Sequence, residues 1–289
     1  MAQGRDPATA AGAAGAAGAA AAPPAQDPPF VLPPSVEQRE GIVFVTPAGQ
    51  ALTLDLFLPR ERPARPAPGI VFVHGGGWRQ GTPRAFWRQA AHLAALGVPG
   101  ISVRYRFAPR YRFPAQLEDV QAAVRWLRTN AAGLGVDAAR VGAAGGSAGG
   151  HLAALLGTTE AEVDGVSSRV QAVVAFNGVF DFPTLNTAGA SGPRRDLLGD
   201  DPEVARAASP RLCADGTAAP TLLLHGTADT TVPFAQSAAY AGRLRELGVP
   251  VELVPAPGAV HGFHNRPPHY APALERMTRF FLETLGGAP

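Results

Sequence analysis

The sequence predicts an α/β fold: a mostly parallel, doubly wound sheet with antiparallel first strands and helices on both faces. Three observations favour it. Two apolar runs at the start are joined by a turn at 47–49, which predicts an antiparallel hairpin. The run 69–73 is apolar on both faces, which is typical of a central parallel strand. From there, apolar runs alternate with helix-like segments, the pattern of repeated βα units.

The elements follow in order. The hairpin strands are expected over 42–45 and 52–58, and the clean alternation of the second predicts that one of its faces contacts solvent. Further strands are predicted over 69–73, 100–105, 140–144, 170–176, 221–225 and 251–254. Helices are predicted over about 84–96, 115–130, 151–156, 234–247 and 271–285.

Composition suggests three regions. Residues 1–34 are rich in Ala, Gly and Pro and are predicted to be a disordered leader. Residues 35–289 form the predicted catalytic domain, and 182–219 is an irregular, lid-like insertion within it. The leader lacks the basic start and Leu-rich middle of a signal peptide. Two interpretations of the leader remain. It is either a tether left after removal of a signal peptide, in a secreted or periplasmic protein, or a disordered tail of a cytoplasmic protein.

Net charge, composition and the length of the apolar runs argue against several classes of function. The net charge is +2, every basic residue is Arg, and no basic run or basic face is visible, so nucleic-acid binding is not indicated. The single cysteine, Cys213, has no internal partner, and no Cys/His cluster has the spacing of a metal site. No apolar run is long enough to span a membrane. The oligomeric state is not indicated.

The stretch Gly145–Gly149, Gly-Gly-Ser-Ala-Gly, lies between a predicted strand and a predicted helix. This is the context of a nucleophile elbow, in which a serine at a strained turn needs glycines two positions to either side. Ser147 is therefore the candidate nucleophile. A glycine-rich chain gives this pentapeptide by chance often enough that an oxyanion loop, an acid and a histidine are needed beside it.

Such a loop follows the central strand at 74–78, His-Gly-Gly-Gly-Trp. Its glycines allow backbone N–H groups to face a cavity. The N–H groups of Gly75, Gly76 and Ala148 are the predicted oxyanion hole. His74 is expected to hold the loop, and Trp78 is expected to line the substrate pocket or to pack in the core.

An acid and a base follow in the order Ser, Asp, His, which is the order of α/β-hydrolases. Asp229 lies in a strand-to-helix loop, where a carboxylate can orient an imidazole or cap the helix. His261, after the last strand, is the candidate base, and His264 is the alternative. Asp181 is expected to be a loop or cap residue rather than an accessory acid.

Together these motifs resemble the α/β-hydrolase esterases and lipases. The resemblance rests on 74–78, 105–109, 113–119, 145–151 and 260–263 and covers about residue 36 to the end. The hormone-sensitive-lipase-like branch usually has Asp where this chain has Gly146, and Asp-Pro-Leu around the acid. Both departures favour the bacterial feruloyl/acetylxylan-esterase-like branch.

The resemblance implies a serine carboxylic-ester hydrolase with Ser147, His261 and Asp229 as its triad, acting on short-chain or aryl esters without a metal or organic cofactor. Trp78 and Phe107 are expected near the substrate. An arylformamidase-like amidase and a non-catalytic hydrolase-fold binding protein are the alternatives. The expected substrate is a small-molecule or polymer-linked ester, and the sequence does not identify which one.

Overall fold

A computed structural model of the protein describes residues 1, 30–185 and 192–286. The strands there are β1 (Val36–Val45), β2 (Leu52–Pro59), β3 (Ala67–Val73), β4 (Gly100–Val103), β5 (Val136–Gly146), β6 (Glu162–Val163), β7 (Val166–Ser167), β8 (Ala172–Phe176), β9 (Thr221–Gly226) and β10 (Val251–Ala256). The α-helices are α1 (Trp87–Ala95), α2 (Ala115–Thr129), α3 (Ala131–Leu134), α4 (Ala148–Thr158), α5 (Pro193–Leu198), α6 (Pro202–Ala207), α7 (Pro210–Cys213), α8 (Ala235–Glu246) and α9 (Tyr270–Leu285).

The main sheet has the strand order β1-β2-β4-β3-β5-β8-β9-β10. β2 pairs antiparallel with β1 and with β4, and every other neighbouring pair is parallel. The carboxyl ends of β3, β5, β8, β9 and β10 therefore meet at one edge, where ligands bind in sheets of this kind. The α/β-hydrolase fold predicted from the sequence is confirmed.

Two hydrophobic cores lie on the two faces of the sheet. One holds the apolar sides of α2, α4 and α8, and the other holds those of α1 and α9. β3 contributes to both, because Val71 and Val73 face the first core and Ile70 and Phe72 the second. Parallel strands covered by helices on both faces carry continuous apolar runs, as β3 does.

The prediction that one face of β2 contacts solvent was wrong. Leu54, Leu56 and Leu58 face the first core, while Asp55 and Phe57 on the other face are buried beneath α1. Asp55 is satisfied there, because its carboxylate accepts hydrogen bonds from the Trp87 indole N–H (2.9 Å) and the Gly41 backbone N–H (2.9 Å). A polar residue in an alternating pattern signals solvent only when no buried donor reaches it.

The insertion expected to be irregular contains three short helices, α5, α6 and α7. Each begins with proline, which suits the first helical position because it has no N–H to satisfy. Leu197 and Ala208 from this segment are completely buried in the first core. Residues 186–191, near the start of the insertion, lie outside the described residues, and the role of the insertion as a lid stays a prediction.

Most of the predicted leader, residues 2–29, also lies outside the described part. Its last residues pack on the domain: Phe30 contacts Trp87 with 5.5 Å between ring centroids, and Leu32 joins the second core. The packed chain thus includes Phe30, five positions before the predicted boundary. Among the described helices, none has both the length and the apolar character to cross a membrane.

Candidate active site

Ser147 lies at the sharp turn between β5 and α4, with φ 55° and ψ −120°. Positive φ is unfavourable for a serine and is found where the surrounding structure enforces it. Close packing explains the flanking glycines. A Cβ at Gly145 would lie 2.2 Å from the Gly149 carbonyl oxygen, and one at Gly149 would lie 2.0 Å from the Val73 oxygen. The turn therefore presents Ser147 at the carboxyl edge of the sheet.

Three predicted residues meet there. The His261 Nε2 atom is 2.9 Å from Ser147 Oγ, and its Nδ1 atom is 2.7 Å from Asp229 Oδ2. A carboxylate accepts, so Nδ1 carries the proton, and Nε2 is left to accept from the serine hydroxyl. This is the tautomer that a general base for Ser147 requires.

Asp229 is fixed from several sides. Its side chain is completely buried, and Oδ1 accepts the backbone N–H groups of Thr231 and Val232 at 2.9 Å each. Burial alone would raise the pKa of Asp229, but hydrogen bonds with His225, His261 and Val232 outweigh it and hold that pKa well below its usual range. The carboxylate is thus charged and immobile beside the imidazole.

The glycine loop after β3 lies against the nucleophile. A Cβ at Gly75 would lie 3.3 Å from Ser147 Cβ, and Gly76 and Gly77 have φ of 116° and 60°. Gly75–Gly77 line a cavity of about 480 Å³ together with Ser147 and His261. Ala148 opens α4, and the first N–H groups of a helix have no partner within it. Two of the three predicted oxyanion-hole residues, Gly75 and Gly76, therefore line the same cavity as Ser147, and Ala148 directly follows the nucleophile.

His74 holds this loop, as expected. Its ring stacks on Tyr105 with centroids 4.4 Å apart, and Nδ1 donates to the Gly75 oxygen at 2.7 Å. The Tyr105 hydroxyl donates to the His74 carbonyl at 3.1 Å. Burial lowers the pKa of His74 to about 4, so the ring is neutral at pH 7.

Trp78 and Phe107 are not among the residues that line this cavity. Trp78 packs in the core instead, where its indole N–H donates to His151 Nδ1 (3.1 Å) and its ring lies against Phe182. Phe107 packs edge-on against His74, with 5.8 Å between centroids. The hydrogen-bonding need of the buried indole accounts for the inward orientation of Trp78.

Asp181 is structural. It is buried and forms an ion pair with Arg211 on α7 at 2.7 Å. The Gln236 side chain on α8 bridges to the same stretch, because it accepts the Asp181 backbone N–H at 2.8 Å. Asp181 therefore anchors the insertion to the domain, in agreement with its expected structural role.

Sequence reasoning missed Asn177 and left His264 open as an alternative base. Asn177 directly follows β8, is completely buried and contacts His261. His264, the alternative base, lies buried between Phe176 and Phe86, with its Nδ1 atom 3.2 Å from Asn177 Oδ1. The signal available for Asn177 was a polar residue just beyond an apolar strand at the ligand-binding edge.

Several known proteins are similar to this chain. The BD-FAE family model matches residues 54–244, a range that contains Ser147 and Asp229. Esterase LipC of Mycobacterium tuberculosis is 36% identical over 236 residues, which are 74% of this chain and 57% of LipC. Ethyl acetate hydrolase of Pseudomonas putida is 30% identical over 236 residues, which are 76% of this chain and 74% of that protein. The chain thus spans little more than half the length of LipC.

Among solved structures, the esterase Est2 of Thermogutta terrifontis is similar, with a TM-score of 0.76 and 33% identity over 89% of this chain and 95% of Est2. Other Est2 structures hold propionate or butyrate, and one is phosphorylated by paraoxon. The matched family range is more than half of the chain, and the fold is similar to that of Est2. The chain therefore belongs to the BD-FAE family, among the α/β-hydrolase esterases and lipases related to hormone-sensitive lipase.

Proposed function

We propose that this chain is a serine carboxylesterase that works through an acyl-enzyme. The observation that carries the proposal is the hydrogen-bonded series Ser147 Oγ, His261 Nε2, His261 Nδ1, Asp229 Oδ2, with contacts of 2.9 and 2.7 Å at its two ends. Such a series activates a hydroxyl that is otherwise a weak nucleophile at neutral pH.

In the first half of the reaction, Ser147 Oγ attacks the ester carbonyl carbon while His261 Nε2 takes the hydroxyl proton. The carbonyl oxygen becomes an anion, which the N–H groups of Gly75, Gly76 and Ala148 stabilise, each donor by about 2.7–4 kcal/mol. Asp229 stabilises the imidazolium. The carbon–oxygen bond to the alcohol then breaks, and Nε2 returns its proton to the departing alkoxide.

In the second half, water attacks the acyl-serine, and the same imidazole takes a proton from that water. The oxyanion forms again at the same donors. Collapse releases the carboxylic acid, and Ser147 Oγ recovers its proton from Nε2. Every group that the scheme uses is a side chain or a backbone N–H of the site.

We further propose that the substrates are esters of short or aryl acids. The size of the cavity, about 480 Å³, supports a small acyl or alcohol group. The propionate and butyrate held by Est2, and the substrate in the name of the Pseudomonas putida relative, support short chains by analogy.

Replacement of the proposed nucleophile tests the function. Ser147→Ala is expected to lower kcat for p-nitrophenyl acetate by at least roughly 10⁴-fold, because only binding and the oxyanion donors remain. The matched control is Ser35→Ala, an exposed serine in the segment before β1. A folded Ser147→Ala protein with more than a few per cent of wild-type kcat contradicts the scheme.

Two further measurements separate the alternatives. A fluorophosphonate probe is expected to label the wild type at Ser147, and a protein that binds esters without being labelled would be a non-catalytic member of the fold. Rates on acetate, butyrate, decanoate and feruloyl esters are expected to favour the short or aryl acids. A preference for N-formylkynurenine would instead indicate an amidase.

A further inference from the structure

Asn177 has an unusual backbone conformation at the proposed site. It directly follows β8 with φ 41°, in a region where asparagine is tolerated better than most other residues. Its backbone N–H donates to the Leu224 oxygen at 2.9 Å, and its side chain is fully enclosed. A non-glycine residue held in this region beside a reacting group suggests a function for the side chain that the turn presents.

The Asn177 amide lies over the face of the His261 ring. Its Nδ2 atom is 3.3 Å from His261 Nδ1 and 3.4 Å from His261 Nε2. An atom equally far from both ring nitrogens at this distance would overlap a ring carbon if it lay in the ring plane. The amide is therefore out of the plane, and it leaves both nitrogens free for their in-plane contacts with Asp229 and Ser147.

The other end of the amide is held by His264. The His264 Nδ1 atom lies 3.2 Å from Asn177 Oδ1, and an amide oxygen can only accept, so Nδ1 donates. The His264 ring is itself fixed between Phe176 and Phe86, at 4.5 and 5.9 Å between centroids and nearly parallel to both. With its oxygen engaged in this way, the amide directs its NH₂ group toward His261.

We propose that Asn177 is a positioning residue for His261, and that His264 acts through Asn177 by fixing the orientation of its amide. The inference rests on the proposed function. The His261 side chain is 24% exposed, so packing alone does not enclose it. Once Nε2 has taken the serine proton, it becomes a donor that must reach the leaving alkoxide, and the surface beneath the ring keeps Nε2 aimed at that alkoxide. Small misplacements of a catalytic group cost up to about 10²-fold in rate.

The test uses the full-length chain and p-nitrophenyl acetate. Asn177→Gly removes the side chain without the strain that another residue meets at positive φ. It is expected to lower kcat about 10- to 100-fold with KM within about twofold of wild type. His264→Phe keeps the ring stack and removes the donor, and a several-fold lower kcat is expected. The matched control is Asn130→Gly, an exposed asparagine at the end of α2.

A double-mutant cycle tests the dependence on His264. If His264 acts through Asn177, Asn177→Gly/His264→Phe is no slower than Asn177→Gly alone. The downfield NMR signal of the His261 Nδ1 proton is expected to broaden in Asn177→Gly, a change that loss of global stability alone does not cause in folded protein. A kcat for Asn177→Gly within twofold of wild type would overturn the inference. So would a double variant whose loss in kcat equals the product of the losses in the two single variants. The proposed function fails separately, through an active Ser147→Ala protein.

Discussion

Gly146, directly before the proposed nucleophile, has no side chain because His264 occupies the space that one would need. A Cβ there would lie 2.8 Å from both Nε2 and Cε1 of His264. The imidazole that fills this space comes from the segment between β10 and α9. The two positions are expected to tolerate change only jointly.

Gly146→Ala is accordingly expected to lower the free energy of unfolding by about 1–3 kcal/mol, the usual cost of overpacking, because Phe86 and Phe176 leave His264 little room to move. Urea unfolding monitored by circular dichroism measures this. The matched control is Gly133→Ala, whose added Cβ meets nothing within 4 Å. Equal stability of the two variants would contradict the steric explanation.

Individual site residues could be predicted from the sequence when the reaction requires a particular residue type in a particular order along the chain. Ser147, Asp229 and His261 were singled out because a nucleophile, an acid and a base each need a defined residue type after a strand. The position of Asn177 after an apolar strand could be read from the sequence, but its contacts could not, since they join positions 84 and 87 residues apart. The orientation of Trp78 was left open for the same reason, because its partner, His151, lies 73 residues away.

Elements differ in how well periodicity predicts them. β3 and α2 were located almost to the residue, because one is apolar throughout and the other has an apolar stripe at helical spacing. One face of β2 was predicted to contact solvent, because an alternating pattern does not show whether a helix will cover the polar side of a strand. The short helices α5 to α7 were missed because one or two turns are too few for a periodic signal.

The loop after β4 is joined to α2 by a buried ion pair. The Arg106 Nε atom lies 2.9 Å from each oxygen of Asp119, and the Arg106 backbone N–H donates to Oδ2 at 2.8 Å. Both residues are less than a tenth exposed. In Asp119→Ala, the counter-charge that remains for the guanidinium among the described residues would be the more exposed Glu118.

Asp119→Ala is therefore expected to lower the free energy of unfolding by about 3–5 kcal/mol, the cost of removing one partner of a buried pair. Asp137→Ala is the matched control, because its ion pair with Arg140 is about one-third exposed on both sides, and less than about 1 kcal/mol is expected there. Chemical denaturation of both variants measures the difference. Similar losses of unfolding free energy in the two variants would show that removing a partner from the buried Arg106 pair costs no more than removing one from a partly exposed pair.

Across the whole molecule, a mostly parallel sheet with helices on both faces could be predicted, because a series of βα units restricts the topology to few solutions. What could not be predicted is how distant segments share the two cores. Phe30 packs beside α1, and the insertion contributes buried residues to the core around α4. These contacts depend on shape rather than on local pattern.

Three buried histidines give the molecule a stability that depends on pH. Burial lowers the pKa of His74 and His151 to about 4 and that of His264 to about 3, against an ordinary value of 6.5. The unfolded chain therefore binds protons below pH 6.5 that the folded chain excludes until about pH 4. Stability is fully present above pH 6.5 and falls as the pH is lowered through this window. Asp119, whose pKa burial raises, acts in the opposite direction.

Urea unfolding at several values between pH 7.5 and 4.5 is expected to show this decline, with each histidine adding up to about 1.4 kcal/mol per pH unit. His151→Gln keeps an acceptor and a donor for Trp78 and the Ala208 carbonyl but removes one titrating group, so the slope is expected to decrease by one proton. Ser102→Ala, which loses a buried hydrogen bond to Pro83 and no titrating group, is expected to keep the full slope while lowering stability. An unchanged slope in His151→Gln would mean that protons enter the folded core well above pH 4.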